Sequence, residues 1–129
     1  MYSEMGRLGG TEAARPDAAQ EAYITNLLRK IGVPAHIYGY RYLREAIMMV
    51  VENGDNIYFV TKNLYPAVAA KCMTTAARVE RAIRHAVRVA WSRGSAATLK
   101  SIFGHSADTA KNPTNCEFIA QIAETVRMR

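Results

Sequence analysis

The sequence predicts an all-α protein of about six helices. Apolar residues recur at helical spacing in successive segments, and glycine, proline or Asn-Gly separates one segment from the next. No stretch alternates apolar and polar residues as a half-buried strand does. The chain has 129 residues, of which 50% are hydrophobic, so it can bury a core as one domain.

The first part of the chain divides into a tether and two helices. Residues 1–16 are small, polar and glycine-containing, so we expect a flexible tether there and the folded domain over residues 17–129. A first helix is predicted with Asp17 as its cap and with Gly32 in the left-handed position after its end. A second helix is predicted from residue 40 to about residue 52.

The central segments predict a short helix followed by a long one. Residues 56–72 carry a helical pattern, which Pro66 should interrupt because proline is tolerated in a first turn but not in a helix interior. The long helix follows, with Thr74 or Thr75 as its cap and Gly94 at its end.

Two further helices complete the predicted domain. A short one runs over residues 95–103 and ends at Gly104. The last one begins at Thr114, where Thr114 and Glu117 match the spacing of a capping box.

The composition favours a polyanionic partner. The chain has 17 Lys and Arg against 11 Asp and Glu, a formal net charge of +6, which favours nucleic acid first and an anionic membrane second. No apolar run approaches the roughly 18 residues of a membrane span, and the N-terminus lacks the apolar core of a signal peptide. The two separated cysteines fit reduced thiols, so we expect a cytoplasmic protein.

The long helix is predicted to be amphipathic with a cationic polar face. A mixed face would be usual, because opposite charges four residues apart stabilise a helix and like charges repel. The alternative interpretation is a solvated face whose arginines pair with acids on neighbouring helices. The apolar side is formed by Val79, Ala82, Ile83, Ala86 and Ala90; the polar side by Arg81, Arg84, His85 and Arg88, with Arg78 and Glu80 at its borders.

The short and long helices together fit the spacing of a helix-turn-helix. Ala69 is small where two helices would cross, and the turn would lie at residues 72–74, although Met73 stands where glycine or asparagine suits a positive φ better. In such a unit the second helix enters the major groove. Its early residues Thr75, Arg78, Glu80 and Arg81 would meet base edges, and Arg84, His85 and Arg88 would lie near phosphates.

Other functions are weakly supported. His85, His105 and the two cysteines lack metal-ligand spacing, so neither a metal nor another cofactor is predicted. The acids are scattered rather than paired, which argues against an enzyme. A basic helical module for an acidic protein partner and a binder of structured RNA remain alternatives. Five tyrosines are predicted to be core or helix-contact residues: Tyr38, Tyr40, Tyr42, Tyr58 and Tyr65.

Several segments resemble a known family. ITNLL, IGVPAHIYGYRYLREAI, TKNLYP, TTAARVERAIRHAVRVAWSRG, IFG and NPTNCEFIAQIA are similar to the C-terminal effector domain of the sporulation stage-zero-A response regulators. The resemblance covers roughly residues 23–126 in uninterrupted order. It implies a cytoplasmic, sequence-specific DNA-binding domain of six helices. It also places the reading helix on residues 75–91, with Arg78, Glu80 and Arg81 toward bases and Arg84 and His85 toward the backbone.

The resemblance also implies partners. Such regulators bind promoter boxes in double-stranded DNA, often in tandem, and activate or repress transcription, touching the RNA polymerase sigma subunit when they activate. Tandem or dimeric self-association on DNA is a further expectation. The polymerase-contacting region falls on Ser101, Phe103 and His105. The 22 residues before Tyr23 are too few for the family's phosphoacceptor receiver, so we expect either an excised effector domain or a natural short form. Met73 and Ala77 stand where the family usually has polar residues.

Overall fold

The computed structural model describes residues 16–53, 62–104, 107 and 111–129. These ranges contain six helices and no strand, which confirms the predicted all-α class. The helices are α1 (Pro16–Ile31), α2 (Tyr38–Asn53), α3 (Leu64–Cys72), α4 (Ala76–Arg93), α5 (Ala96–Phe103) and α6 (Asn115–Arg127).

The two ends of α1 test two predictions. The helix begins at Pro16, so Asp17 lies inside the first turn, and its prediction as the cap is wrong. Proline suits this first position because its missing N–H would have no partner in the helix. Gly32 has a φ of 108°, and its N–H donates to the Arg29 carbonyl over 3.1 Å, so the left-handed end is confirmed.

Three caps fix where the later helices begin. The Thr75 hydroxyl accepts a hydrogen bond from the third amide of α4, so Thr75 rather than Thr74 is the cap. Ser95 does the same for α5. At α6 the predicted capping box is confirmed: Glu117 N donates to Thr114 Oγ1 over 3.1 Å, and Thr114 N donates back to Glu117 Oε1 over 2.9 Å.

Some predictions concern residues outside the described ranges. Residues 1–15 of the proposed tether and residues 54–61 are among them. Helix α3 begins at Leu64 and has Pro66 in its first turn, as proline requires. The second helix begins at Tyr38, two residues ahead of its predicted start.

Helix α2 lies at the centre of the packing. It contacts α1, α3, α4 and α6, while α5 packs against α6 and α1. A hydrogen bond of 3.0 Å from Arg127 Nη2 to the Val50 carbonyl joins the end of α6 to α2. The fully buried side chains of the core come from five helices and include Ile24, Leu28, Leu43, Ile47, Leu64, Val68, Val79, Ile83, Phe118, Ile119 and Ile122.

The tyrosines divide between the core and the surface. Tyr40 and Tyr42 are buried and Tyr65 is half-buried, as predicted. Tyr38 is 79% exposed, so its prediction as a core residue is wrong. Its ring stacks on the ring of Tyr42 at a centroid distance of 6.3 Å, at the solvent edge of α2. Tyr58 lies outside the described residues.

Both cysteines are free thiols. Cys72 is buried and Cys116 is half-buried, which agrees with the prediction of reduced cysteines. Within the described ranges, no helix combines the length and the apolar character that crossing a membrane requires.

The start of α2 crosses α4 with almost no space between the two backbones. A Cβ atom at Gly39 would overlap the Ala82 carbonyl oxygen and lie 2.8 Å from Ala86 Cβ. Only glycine therefore permits this approach, with alanines facing it on α4. The crossing places the first turn of α2 directly beside the middle of α4.

Replacing Gly39 with alanine tests this packing. Alanine ordinarily stabilises a helix relative to glycine by about 1 kcal/mol. Here we expect Gly39→Ala to lower the free energy of unfolding by about 1–3 kcal/mol, because the added methyl group must push two backbones apart. Urea denaturation measures the change, and a variant more stable than the wild type would contradict the close crossing.

Candidate nucleic-acid interface

The polar face of α4 is open to solvent. The five basic side chains predicted on it are all exposed, so no other described part of the fold covers them; they are Arg78, Arg81, Arg84, His85 and Arg88. The opposite side packs into the core, with two differences from the prediction. Val87 is buried, whereas Ala82 is half-buried at the crossing with α2. The buried set is Val79, Ile83, Ala86, Val87 and Ala90.

Ion pairing distinguishes the arginines from one another. Arg84 pairs with Glu80 one turn earlier on the same helix. Within the described residues, no ion pair or hydrogen bond engages the side chains of Arg78, Arg81 or Arg88. The alternative in which acids from neighbouring helices neutralise this face is therefore not what the structure shows. Through its pair with Arg84, the Glu80 carboxylate is already engaged in the free protein.

The turn before α4 is tight and contains a left-handed residue. Met73 has φ 58° and ψ 49°, and its N–H donates to the Ala69 carbonyl. Thr74 N donates to the same carbonyl over 3.0 Å. The left-handed conformation that the helix-turn-helix spacing predicted is thus present at Met73 despite the Cβ atom, at a cost of about 1–2 kcal/mol. The Met73 side chain is 92% exposed.

A groove lies on the α2 side of the arginine face. It has a volume of about 510 Å³ and runs between the first turn of α2, the turn at Met73 and α4. Arg78, Arg81 and His85 line one wall. Tyr38 and Arg41 line the other. We refer to this space as the α2 groove.

A second groove lies on the α6 side. It has a volume of about 400 Å³, and Arg84 and Arg88 line it together with residues 112–116. Asn115 Nδ2 donates to the Glu80 carbonyl over 3.1 Å and so holds the start of α6 against α4. Burial raises the pKa of Tyr65 in this wall, and a hydrogen bond with Asn115 acts in the opposite direction. Helix α4 therefore stands between two grooves.

Two of the three residues predicted to contact polymerase, Ser101 and Phe103, line neither of the two grooves beside α4. Ser101 is exposed on α5. Phe103 is half-buried, with its ring 5.0 Å from the Trp91 ring and 5.3 Å from the Phe118 ring, centroid to centroid. Packing is thus one role of Phe103. His105 lies outside the described residues.

Sequence reasoning missed Tyr38 and Arg41. Both belong to the first turn of α2 and share a groove with the arginine face. The signal was Gly39 between them, since a glycine in a helix indicates a close backbone approach. Which helix Gly39 approaches is set by the packing of the whole domain, so the local sequence could not predict it.

The fold and this surface define a small, basic, all-helical domain whose long helix offers unneutralised arginines to solvent, as nucleic-acid-binding domains do. Residues 24–126 match the family described as the C-terminal part of the sporulation initiation factor Spo0A, and the chain belongs to that family. The family is one of DNA-binding regulatory domains and not of enzymes. Across the described residues, no three His, Cys, Asp or Glu side chains are grouped to hold a metal ion.

Removing the cap of α4 tests how the leading turn is held. We expect Thr75→Ala to lower the free energy of unfolding by about 1 kcal/mol, because the amide at Arg78 loses its acceptor. Thr74→Ala is the matched control, since among the described residues no hydrogen bond engages its hydroxyl. Thermal or urea denaturation compares the two. Equal losses in both variants would contradict the assignment of the cap.

Proposed function

We propose that α3 and α4 form a helix-turn-helix that carries α4 into the major groove of promoter DNA. The observation that carries this proposal is the solvent-exposed row of Arg78, Arg81 and Arg88, which no acid among the described residues neutralises. Like charges at this spacing repel by a few tenths of a kcal/mol per pair. A duplex supplies the negative charge that relieves this repulsion.

The proposed base contacts belong to the leading turns of α4. Arg78 and Arg81 have forked guanidinium groups that can donate two hydrogen bonds to guanine O6 and N7. Thr75 is aimed at the same region, but its oxygen already accepts from a backbone amide, so its O–H remains as a donor toward bases or phosphate.

Glu80 has two compatible roles in this arrangement. In the free protein its carboxylate holds the Arg84 guanidinium. On DNA one carboxylate oxygen can accept from cytosine N4, while Arg84 turns to a phosphate. Arg84, His85 and Arg88 lie farther along α4 and are assigned to the backbone, where they would set the register of the helix on the duplex.

The wider proposal follows the family. The domain, residues 17–129, would bind promoter boxes singly or as adjacent copies in the cytoplasm and activate or repress transcription. Contact with the sigma subunit of RNA polymerase is assigned to the region of Ser101, Phe103 and His105. Ser101 is exposed on α5, the helix that follows α4, and this exposure supports the assignment.

Two arginine variants separate base reading from backbone contact. Arg81→Ala is expected to weaken binding to a preferred duplex by about 1–3 kcal/mol and to relax one base position. Arg88→Ala is expected to weaken binding to preferred and scrambled duplexes alike, and to reduce the salt slope by about one unit. Anisotropy titrations on both duplexes over a range of salt measure these effects.

The same titrations can overturn the assignment. If both variants lose the same affinity on the preferred and the scrambled duplex, α4 does not read bases. A wild-type protein that binds all duplexes equally at near-physiological salt would indicate an acidic protein partner instead. A stronger competition by RNA hairpins than by duplex DNA would indicate an RNA ligand.

The carboxylate of Glu80 is tested by an amide of the same shape. Glu80→Gln should lower the ratio of affinities for preferred and scrambled duplexes, because the amide donates as well as accepts and no longer repels phosphate. Glu124→Gln is a matched control, since Glu124 also pairs with an arginine on its own helix, Arg127 on α6. Competition binding compares the ratios. An equal ratio in both variants would place Glu80 outside the base contacts.

A further inference from the structure

We propose that Tyr38 and Arg41, in the first turn of α2, form a second contact with the phosphate backbone of the duplex that α4 reads. This inference rests on the proposed function and deepens it. It adds a contact from a helix outside the α3–α4 unit. The ligand chemistry is a phosphodiester strand at the edge of the major groove.

The position of the two residues is fixed by the packing of the helices. Gly39 brings the first turn of α2 against the Ala82 backbone of α4. Tyr38 and Arg41 flank this glycine and line the α2 groove opposite the arginine face. The α2 groove has no acidic side chain in its lining, and four of its residues are basic: Arg41, Arg78, Arg81 and His85.

Arg41 has no charged partner in the described part of the chain. The acid one turn later is Glu45, which is buried. Its Oε1 lies 2.7 Å from Lys71 Nζ, so Lys71 already neutralises this carboxylate. The next arginine of α2 behaves differently. Arg44 Nε lies 3.5 Å from Glu21 Oε2, and the Arg44 guanidinium lies over the ring of Tyr40. Both contacts of Arg44 are therefore within the fold. Arg41 is the arginine of α2 that is left for an external anion.

Tyr38 supports the same ligand. An aromatic side chain with 79% of its surface exposed gains little from the core of its own protein. The ring stacks on Tyr42 at an interplanar angle of 17° and remains largely exposed to solvent. Tyrosine hydroxyl groups are common donors to phosphate oxygens in protein–DNA complexes.

The charge of the α2 groove decides between partners. An apolar protein segment would leave several arginines without counterions, which is unfavourable in a desolvated interface. A phosphate strand neutralises them and releases its condensed counterions. The same strand would run beside the side of α4 that faces the α2 groove. The proposed function already assigns that side of α4 to DNA.

The test compares the wild type, Arg41→Ala and Tyr38→Phe with Arg29→Ala as the control. Arg29 is an exposed arginine of α1 that does not line the α2 groove, so its loss changes the net charge equally. Each protein is titrated into a preferred and a scrambled duplex at several salt concentrations, after its melting curve confirms folding.

We expect Arg41→Ala to lower the affinity for both duplexes by the same factor, roughly three- to tenfold. The salt slope should fall by about 0.9 unit, the contribution of one neutralised phosphate. Tyr38→Phe should lower both affinities by about two- to threefold without changing the slope, because only a neutral hydrogen bond is lost. Arg29→Ala should keep the slope of the wild type.

Two results are informative in opposite ways. If the wild type prefers one duplex while Arg41→Ala keeps the affinity and slope of Arg29→Ala, the second contact is refuted and the proposed function stands. If the wild type shows no preference among duplexes, the proposed function fails. Because the Arg41 contact is assigned to the duplex that α4 reads, that result overturns the second contact with it.

Discussion

The arrangement of the cationic surface depends on the close crossing of α2 and α4. At Gly39 the two backbones approach so nearly that a methyl group would not fit. This contact fixes the rotation of α4, so that one side enters the core and the arginine side faces outward. It also sets the first turn of α2 beside α4 and thereby creates the α2 groove. A small change in the crossing would therefore alter both the direction in which the arginines face and the shape of the α2 groove.

Two features of the same surface destabilise the free protein. Met73 adopts a left-handed conformation that its Cβ atom disfavours, and Arg78, Arg81 and Arg88 are exposed with no acidic partner among the described residues. The cap at Thr75 and the hydrogen bond from Asn115 to the Glu80 carbonyl hold α4 in place against these costs. Such a combination of strain and repulsion on a rigid helix is typical of a binding surface, where the ligand recovers the energy.

Local signals predicted the helices better than the site. The end of α1 at Gly32 could be predicted, and the start of α4 could be narrowed to Thr74 or Thr75, because caps depend on neighbouring residues. The Glu80–Arg84 pair also follows from a spacing of four residues. The exposure of Tyr38 and the position of Arg41 could not be predicted, because they depend on how α2 crosses a helix about 45 residues away.

The central claim is that α4 inspects base edges and does not merely attract polyanions. Selection of random duplexes by the wild-type domain at near-physiological salt, followed by sequencing, tests it most directly. A base-reading helix predicts the enrichment of one short box over several rounds. Recovered duplexes that share no box would show that the arginine face binds DNA by charge alone.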